Sequence, residues 1–156
     1  RVLDLMSSWI SHLPAEVTYE GVSGLGLNEH ELASNPRLHD HVVHNLNETP
    51  ELPYEDGSFD VVLNAVSVQY LTRPVEVFTS VRRVLAPGGI HLVAISHRMF
   101  AEKAVAIWQS ISMHDRVPLV GGYFVLSGGW DEPRVIDRSP EGTDPLLVVW
   151  SGRMEG

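Results

Sequence analysis

Apolar residues fall along this chain in two alternating kinds of run: short and near-continuous, or longer and spaced at three and four. The short runs predict buried strands at Arg1–Met6, Val22–Leu27, His41–His44, Phe59–Ala65 and Ile90–Ile95, with Val135–Asp137 and Leu146–Trp150 as later ones. Gly24 and Gly26 weaken the second. The clearest helix lies between the fourth and fifth strands, where Val75, Phe78, Val81 and Val84–Leu85 share one face. Gly88-Gly89 after Pro87 turns the chain from that helix into the next strand. Trp9, Ile10 and Leu13 predict a short helix capped by Ser7 or Ser8 and closed by Pro14. Asn28 caps another through His30, Leu32 and Ala33, stopped by Asn35-Pro36. Phe100–Ser112 and Val117–Leu126 complete the helical stretches, the latter despite Gly121-Gly122. Strands alternating with helices imply an α/β fold, Rossmann-like and doubly wound, with a mainly parallel sheet and helices on both faces.

Composition narrows the partners. One chain of 156 residues without repeats is one domain with a sizeable core. A net charge of −9 argues against a nucleic-acid surface, and no apolar run is long enough to span a bilayer. Cysteine is absent, which removes disulfides, thiolate metal sites and cysteine catalysis, and suits a reducing, cytoplasmic setting. The chain opens on Arg1, already inside a strand-like run, as a domain lacking an N-terminal segment would.

In open doubly wound sheets, ligands bind beyond the carboxyl ends of the strands. That rule selects Met6-Ser7-Ser8-Trp9, Leu27-Asn28-Glu29, Asn45-Leu46, the stretch Asn64 to Tyr70, and His97. His39, Asp40, His41 and His44 form the one metal-like cluster. An extended backbone there points His41 and His44 to opposite faces, so no metal site is expected. Neither a serine nucleophile elbow nor a Walker loop is present, and the closely spaced glycines of Gly21–Gly26 do not open a helix as a nicotinamide site requires.

Ser58-Phe59-Asp60-Val61-Val62, followed by Arg83-Val84-Leu85-Ala86-Pro87-Gly88-Gly89, resembles the class I S-adenosylmethionine-dependent methyltransferases, type 11 branch. Val2-Leu3-Asp4-Leu5 and the run Leu-Pro-Tyr-Glu-Asp-Gly-Ser-Phe ending at Phe59 extend the resemblance over about the first hundred residues. It implies a seven-stranded sheet with an antiparallel last strand, S-adenosylmethionine as cofactor, no metal, and a small-molecule methyl acceptor. It also implies roles for residues. Asp4, Met6, Ser7 and Ser8 would face the amino-acid part of the cofactor, and Asn28 or Glu29 the ribose. Asn45 would accept from the adenine amino group and the Leu46 N–H would donate to the ring. Asn64, Ala65 and Val66 would line the cleft, with Tyr70 and His97 on the acceptor side.

Two departures stand beside the match. Met6, Ser8 and Ile10 occupy the family's three glycine positions, and Gly26 occupies the position of the acid that holds the ribose. Both motivate a second reading, a methyltransferase-like domain that serves as a binding or regulatory module without catalysis. Each candidate also has an ordinary structural role: Ser7, Ser8 and Asn28 can cap helices, Asn45 can close an Asx-turn, and Tyr70 can pack.

Overall fold

The protein is described from a computed structural model covering residues 1–97 and 99–155. Seven strands form one sheet in the order β3-β2-β1-β4-β5-β7-β6. They are β1 (Val2–Leu5), β2 (Val22–Gly26), β3 (Asp40–Val43), β4 (Phe59–Ala65), β5 (Leu85–Ile95), β6 (Arg134–Asp137) and β7 (Leu147–Gly152). The first five run parallel, and β7 is antiparallel to both β5 and β6. The helices are α1 (Glu29–Ser34), α2 (Pro74–Val84), α3 (Ala106–Ser110) and α4 (Met113–Ser127), with a 3-10 turn at Val68–Tyr70. No helix among the described residues is long and apolar enough to cross a membrane.

The unit from β4 through α2 to β5 forms as its periodicity predicts. Val77, Phe78, Val81 and Val84 of α2 are buried against the sheet, and Pro74 sits at the helix start, where its missing N–H costs nothing. Burying Phe78 is worth roughly 3–5 kcal/mol against alanine. Arg83 fixes the polar loop before β4: its guanidinium donates to the Tyr54 and Leu52 carbonyls and to Asp56 Oδ1, each at 2.8 Å. β5 begins earlier than its apolar run, because Leu85 pairs with Phe59 and the register then shifts to Val61–Ile90. The left-handed Gly88 (φ 80°) lies within that irregular stretch.

Three expectations are corrected. No helix follows β1; residues 6–21 are irregular. In a helix the Ser8 carbonyl would accept from residue 12, but here it accepts from Asn35 Nδ2 at 2.9 Å, and the Ser7 and Ser11 hydroxyls are drawn to Asp4. The stretch from Phe100 to Ser112 contracts to the short α3, since the Val105 N–H bonds the Gln69 carbonyl (2.9 Å) and Val105 is extended. α4 starts earlier than predicted, where the Ser112 hydroxyl accepts from the Asp115 N–H at 3.2 Å. Gly121 and Gly122 are tolerated inside it and face open space.

Candidate active site

β1 and β4 are neighbours, while the chain passes from β1 outward to β2 and β3 before returning to β4, so the topological switch point lies between their carboxyl ends. Two non-glycine residues with positive φ stand there, Met6 (59°) directly after β1 and Val66 (50°) directly after β4. A left-handed conformation costs an ordinary residue roughly 1–2 kcal/mol, and more for β-branched valine. Backbone strain of this kind collects at functional sites, where the surroundings hold it in place.

The loop after β1 is tied down by a buried polar network. Asp4 Oδ2 accepts from the Ser11 hydroxyl at 2.6 Å and the Ser7 hydroxyl at 2.7 Å, and Asn35 Nδ2 donates to Ser11 Oγ at 3.0 Å. Burial raises the Asp4 carboxyl above its ordinary range, against the opposing pull of Ser11, Ser7 and the His12 charge. The Ser7 N–H continues the sheet by donating to the Leu25 carbonyl at 2.7 Å. This brings the Ser7 carbonyl over the end of β2. A Cβ at Gly26 would overlap that oxygen and lie 3.2 Å from Leu32 Cδ2. Gly26 is thus required by a close backbone approach, and the position has no room for the family's acid.

Asn28 and Glu29, the alternative ribose candidates, are engaged elsewhere. Asn28 Oδ1 caps α1 by accepting from the Glu31 N–H at 3.1 Å, and Glu29 Oε1 pairs with His41 Nε2 at 2.9 Å. Beyond β3, Asn45 Oδ1 accepts from the Asn47 N–H at 3.0 Å in an Asx-turn, and Leu46 is buried. Asn47 then joins two of the strand-end loops: its Nδ2 donates to the Tyr70 carbonyl (2.9 Å) and its Oδ1 accepts from the Thr72 N–H (3.0 Å).

Asn64 corrects the expectation that it lines the cleft. It is fully buried, donates to Ser67 Oγ at 3.2 Å and meets His91 Nε2 with its Oδ1 at 2.7 Å. Its carboxamide is turned to the same side of the sheet as α2 and α4, because His91 packs against Phe78 and Phe124. Ala65 and Val66 remain at the strand end.

Beyond β4, the Tyr70 hydroxyl accepts from the Phe100 N–H at 2.9 Å, and the two rings lie 6.5 Å apart, tilted by 31°. His97 Nε2 meets Asp144 Oδ1 at 2.8 Å. Sequence reasoning overlooked Ser11 and Asn47, and read Asn35 only as a helix stop and Asp144 only as a solvated loop charge. Each is a single polar residue in a loop or helix end, and only tertiary folding gives it a partner. The histidines near β3 are all engaged: the Val22 N–H donates to His39 Nδ1 (2.9 Å), and His44 Nε2 meets the Thr49 carbonyl (2.8 Å). No group of three or more metal-ligating side chains occurs among the described residues. Two concavities, of about 340 Å³ beside Pro50 and Glu76 and about 270 Å³ around Trp130, include none of these strand ends.

Comparison with known proteins agrees with this architecture. A family model described as a methyltransferase domain matches residues 10–93. No curated protein matches the sequence. Among solved structures, a chain of the complex between the Trm112 methyltransferase activator and a methyltransferase of Haloferax volcanii superposes with a TM-score of 0.72. It is 14% identical over 99% of this chain and 82% of its own. An S-adenosylmethionine-dependent methyltransferase of Mesorhizobium loti gives a TM-score of 0.66 at 16% identity, over 98% of this chain and 90% of that one. The cyclase SpnF gives 0.71 at 14% identity, over 99% and 75%. At such identities the likeness is one of fold, and the cyclase carries a different chemistry on it. The family match covers more than half of the chain, and the seven-stranded, mainly parallel sheet agrees with it: the chain belongs to the methyltransferase domain family and has the Rossmann-like fold of class I S-adenosylmethionine-dependent methyltransferases.

Proposed function

We propose that the protein transfers a methyl group from S-adenosylmethionine to a small-molecule acceptor at the carboxyl ends of β1 and β4. The observation that carries this reading is the pair of left-handed residues Met6 and Val66, each directly after one of the two neighbouring strands at the switch point of a methyltransferase-family sheet. The cofactor, when bound, supplies a methyl group on a positively charged sulfur. The chain supplies position, the largest part of what such a transfer needs.

The residues fit the cofactor best at its two ends. The Met6 turn followed by Ser7 and Ser8 suits the amino-acid part, with Asp4 fixing the loop from below. Asn45 Oδ1 uses one lone pair on Asn47 and keeps a second for an adenine amino group, beside the Leu46 backbone. Ala65 and Val66 floor the cleft between them, and Tyr70 and His97 flank the acceptor. At the ribose, Asn28 and Glu29 each hold a partner through one oxygen, which leaves Asn28 Nδ2 and Glu29 Oε2 as the groups to take part. Loss of one charged hydrogen-bonded pair lowers affinity by about 10- to 100-fold.

A second reading, a binding or regulatory module without catalysis, is favoured by one observation, the Ser7 carbonyl that fills the place of the family's acid beside Gly26. Calorimetric titration of S-adenosylmethionine and S-adenosylhomocysteine separates the two. Saturable binding is the expected result; absence of heat and of any thermal shift at millimolar cofactor would overturn the first reading in favour of the second.

A further inference from the structure

We infer that His97 and Asp144 form a general-base pair and that the acceptor is a phenol stacked on Tyr70 and Phe100; this rests on the methyl-transfer reading above. His97 follows β5 directly, and β7 begins opposite the end of β5, since Leu147 pairs with Ile95. The loop between β6 and β7 therefore returns to the carboxyl edge of the sheet and delivers Asp144 there. Its carboxylate meets His97 Nε2 at 2.8 Å, which makes Nε2 the protonated nitrogen and leaves Nδ1 to accept a proton. His97 is half exposed, as a group that must reach a bound acceptor has to be.

Three residues further on, the Phe100 ring is 63% exposed and open to a ligand. Its backbone N–H holds the Tyr70 hydroxyl, so the two rings form a fixed, tilted pair. Lys103 Nζ lies 5.3 Å from the Phe100 centroid and adds positive charge beside it. A planar ring suits that shelf, and a base three residues before Phe100 in the same segment has work only if the nucleophile carries a proton at neutral pH. A phenolic hydroxyl meets both conditions; its ordinary pKa is about 10, like that of tyrosine.

The balance of the step is as follows. The phenolic oxygen forms a bond to the methyl carbon, the carbon–sulfur bond breaks with its electron pair left on sulfur, and the hydroxyl proton passes to Nδ1 of His97. The positive charge that began on sulfur ends on the imidazolium, beside the Asp144 carboxylate, and the proton then leaves to water. Asp144 is a positioning residue in this scheme.

The test uses catechol and 4-nitrophenol with the whole chain, following S-adenosylhomocysteine release after cofactor binding has been measured by calorimetry. His97→Gln is expected to lower kcat on catechol by about 100-fold or more, with KM changed only a few-fold. On 4-nitrophenol, largely ionised at about pH 8, the loss should stay within about tenfold, because no proton has to be removed. Asp144→Asn should fall between wild type and His97→Gln on catechol. In titrations of catechol into the protein saturated with S-adenosylhomocysteine, Phe100→Ala should weaken binding about tenfold and His97→Gln leave it nearly unchanged. Equal losses on both acceptors in His97→Gln would overturn the base assignment. Cofactor binding without binding or turnover of either phenol would overturn the acceptor class while leaving the methyl-transfer reading intact. No cofactor binding at all would overturn both.

Discussion

His91 offers the sharpest quantitative prediction. It is fully buried in β5, its ring 4.7 Å from Phe78, 5.4 Å from Phe124 and 5.9 Å from Trp130, and Nε2 donates to Asn64 Oδ1. Burial holds its pKa down to about 3, against 6.5 for the free side chain. The unfolded chain therefore binds a proton here at a pH where the folded chain does not. Stability from this group is intact above about pH 6.5 and is lost as pH falls toward about 3. At about 1.4 kcal/mol per unit, lowering the pH to about 5 removes roughly 2 kcal/mol. The control is His91→Leu, which leaves Asn64 Oδ1 without its donor and costs roughly 1–3 kcal/mol at every pH. Urea unfolding of both proteins at about pH 7.5 and pH 5 measures the difference of differences, in which the carboxylates elsewhere cancel. The variant should lose about 2 kcal/mol less than wild type between the two conditions. Equal losses would refute the reasoning and mean that His91 is protonated in the folded protein.

Four further outcomes are expected. Val66→Gly should raise stability by about 1 kcal/mol in denaturant titration, because glycine accepts φ 50° without strain; a drop would show that the turn is not strained. Gly26→Asp should lower the unfolding midpoint by the equivalent of about 1–3 kcal/mol and bring no gain in cofactor affinity, since its Cβ meets the Ser7 carbonyl. Asn35→Ala removes donors from both the Ser8 carbonyl and Ser11 Oγ. It should cost about 1–3 kcal/mol and speed amide exchange in the loop after β1. Asp4 has a raised carboxyl pKa, so its ionisation as pH rises through the folded value lowers stability. Asp4→Asn, which can still accept from the two serines, should match or exceed wild type at neutral pH, while Asp4→Ala should be less stable in the same thermal-shift assay.

Much of the fold was legible because its signals are local. The run from Ser58 to Ile95 carries its own strand, helix and strand periods, and Arg83 stands at the helix end where its guanidinium reaches the preceding loop. The helix expected around Trp9 failed for a nonlocal reason. Its serines and carbonyl found partners in Asp4 and Asn35, the latter 24 residues beyond Ser11. Asn64 misled in the same way: its position at the end of β4 suggested a cleft residue, while His91 on the neighbouring strand drew it into the core.

What the sequence by itself determined is the scaffold: an alternation of β and α periods that can bury its apolar faces only as a doubly wound sheet, with glycine and proline at its turns. Tertiary structure alone decided the state of the site. Whether Gly26 is an absent ligand or a needed gap depends on a carbonyl 19 residues earlier, brought over it by the pairing of β1 with β2. Whether His97 stands alone depends on a carboxylate 47 residues later, returned to the same edge by the antiparallel β7. Periodicity reports which face of an element is buried, but hydrogen bonds and close backbone contacts between distant segments form only when the sheet assembles them.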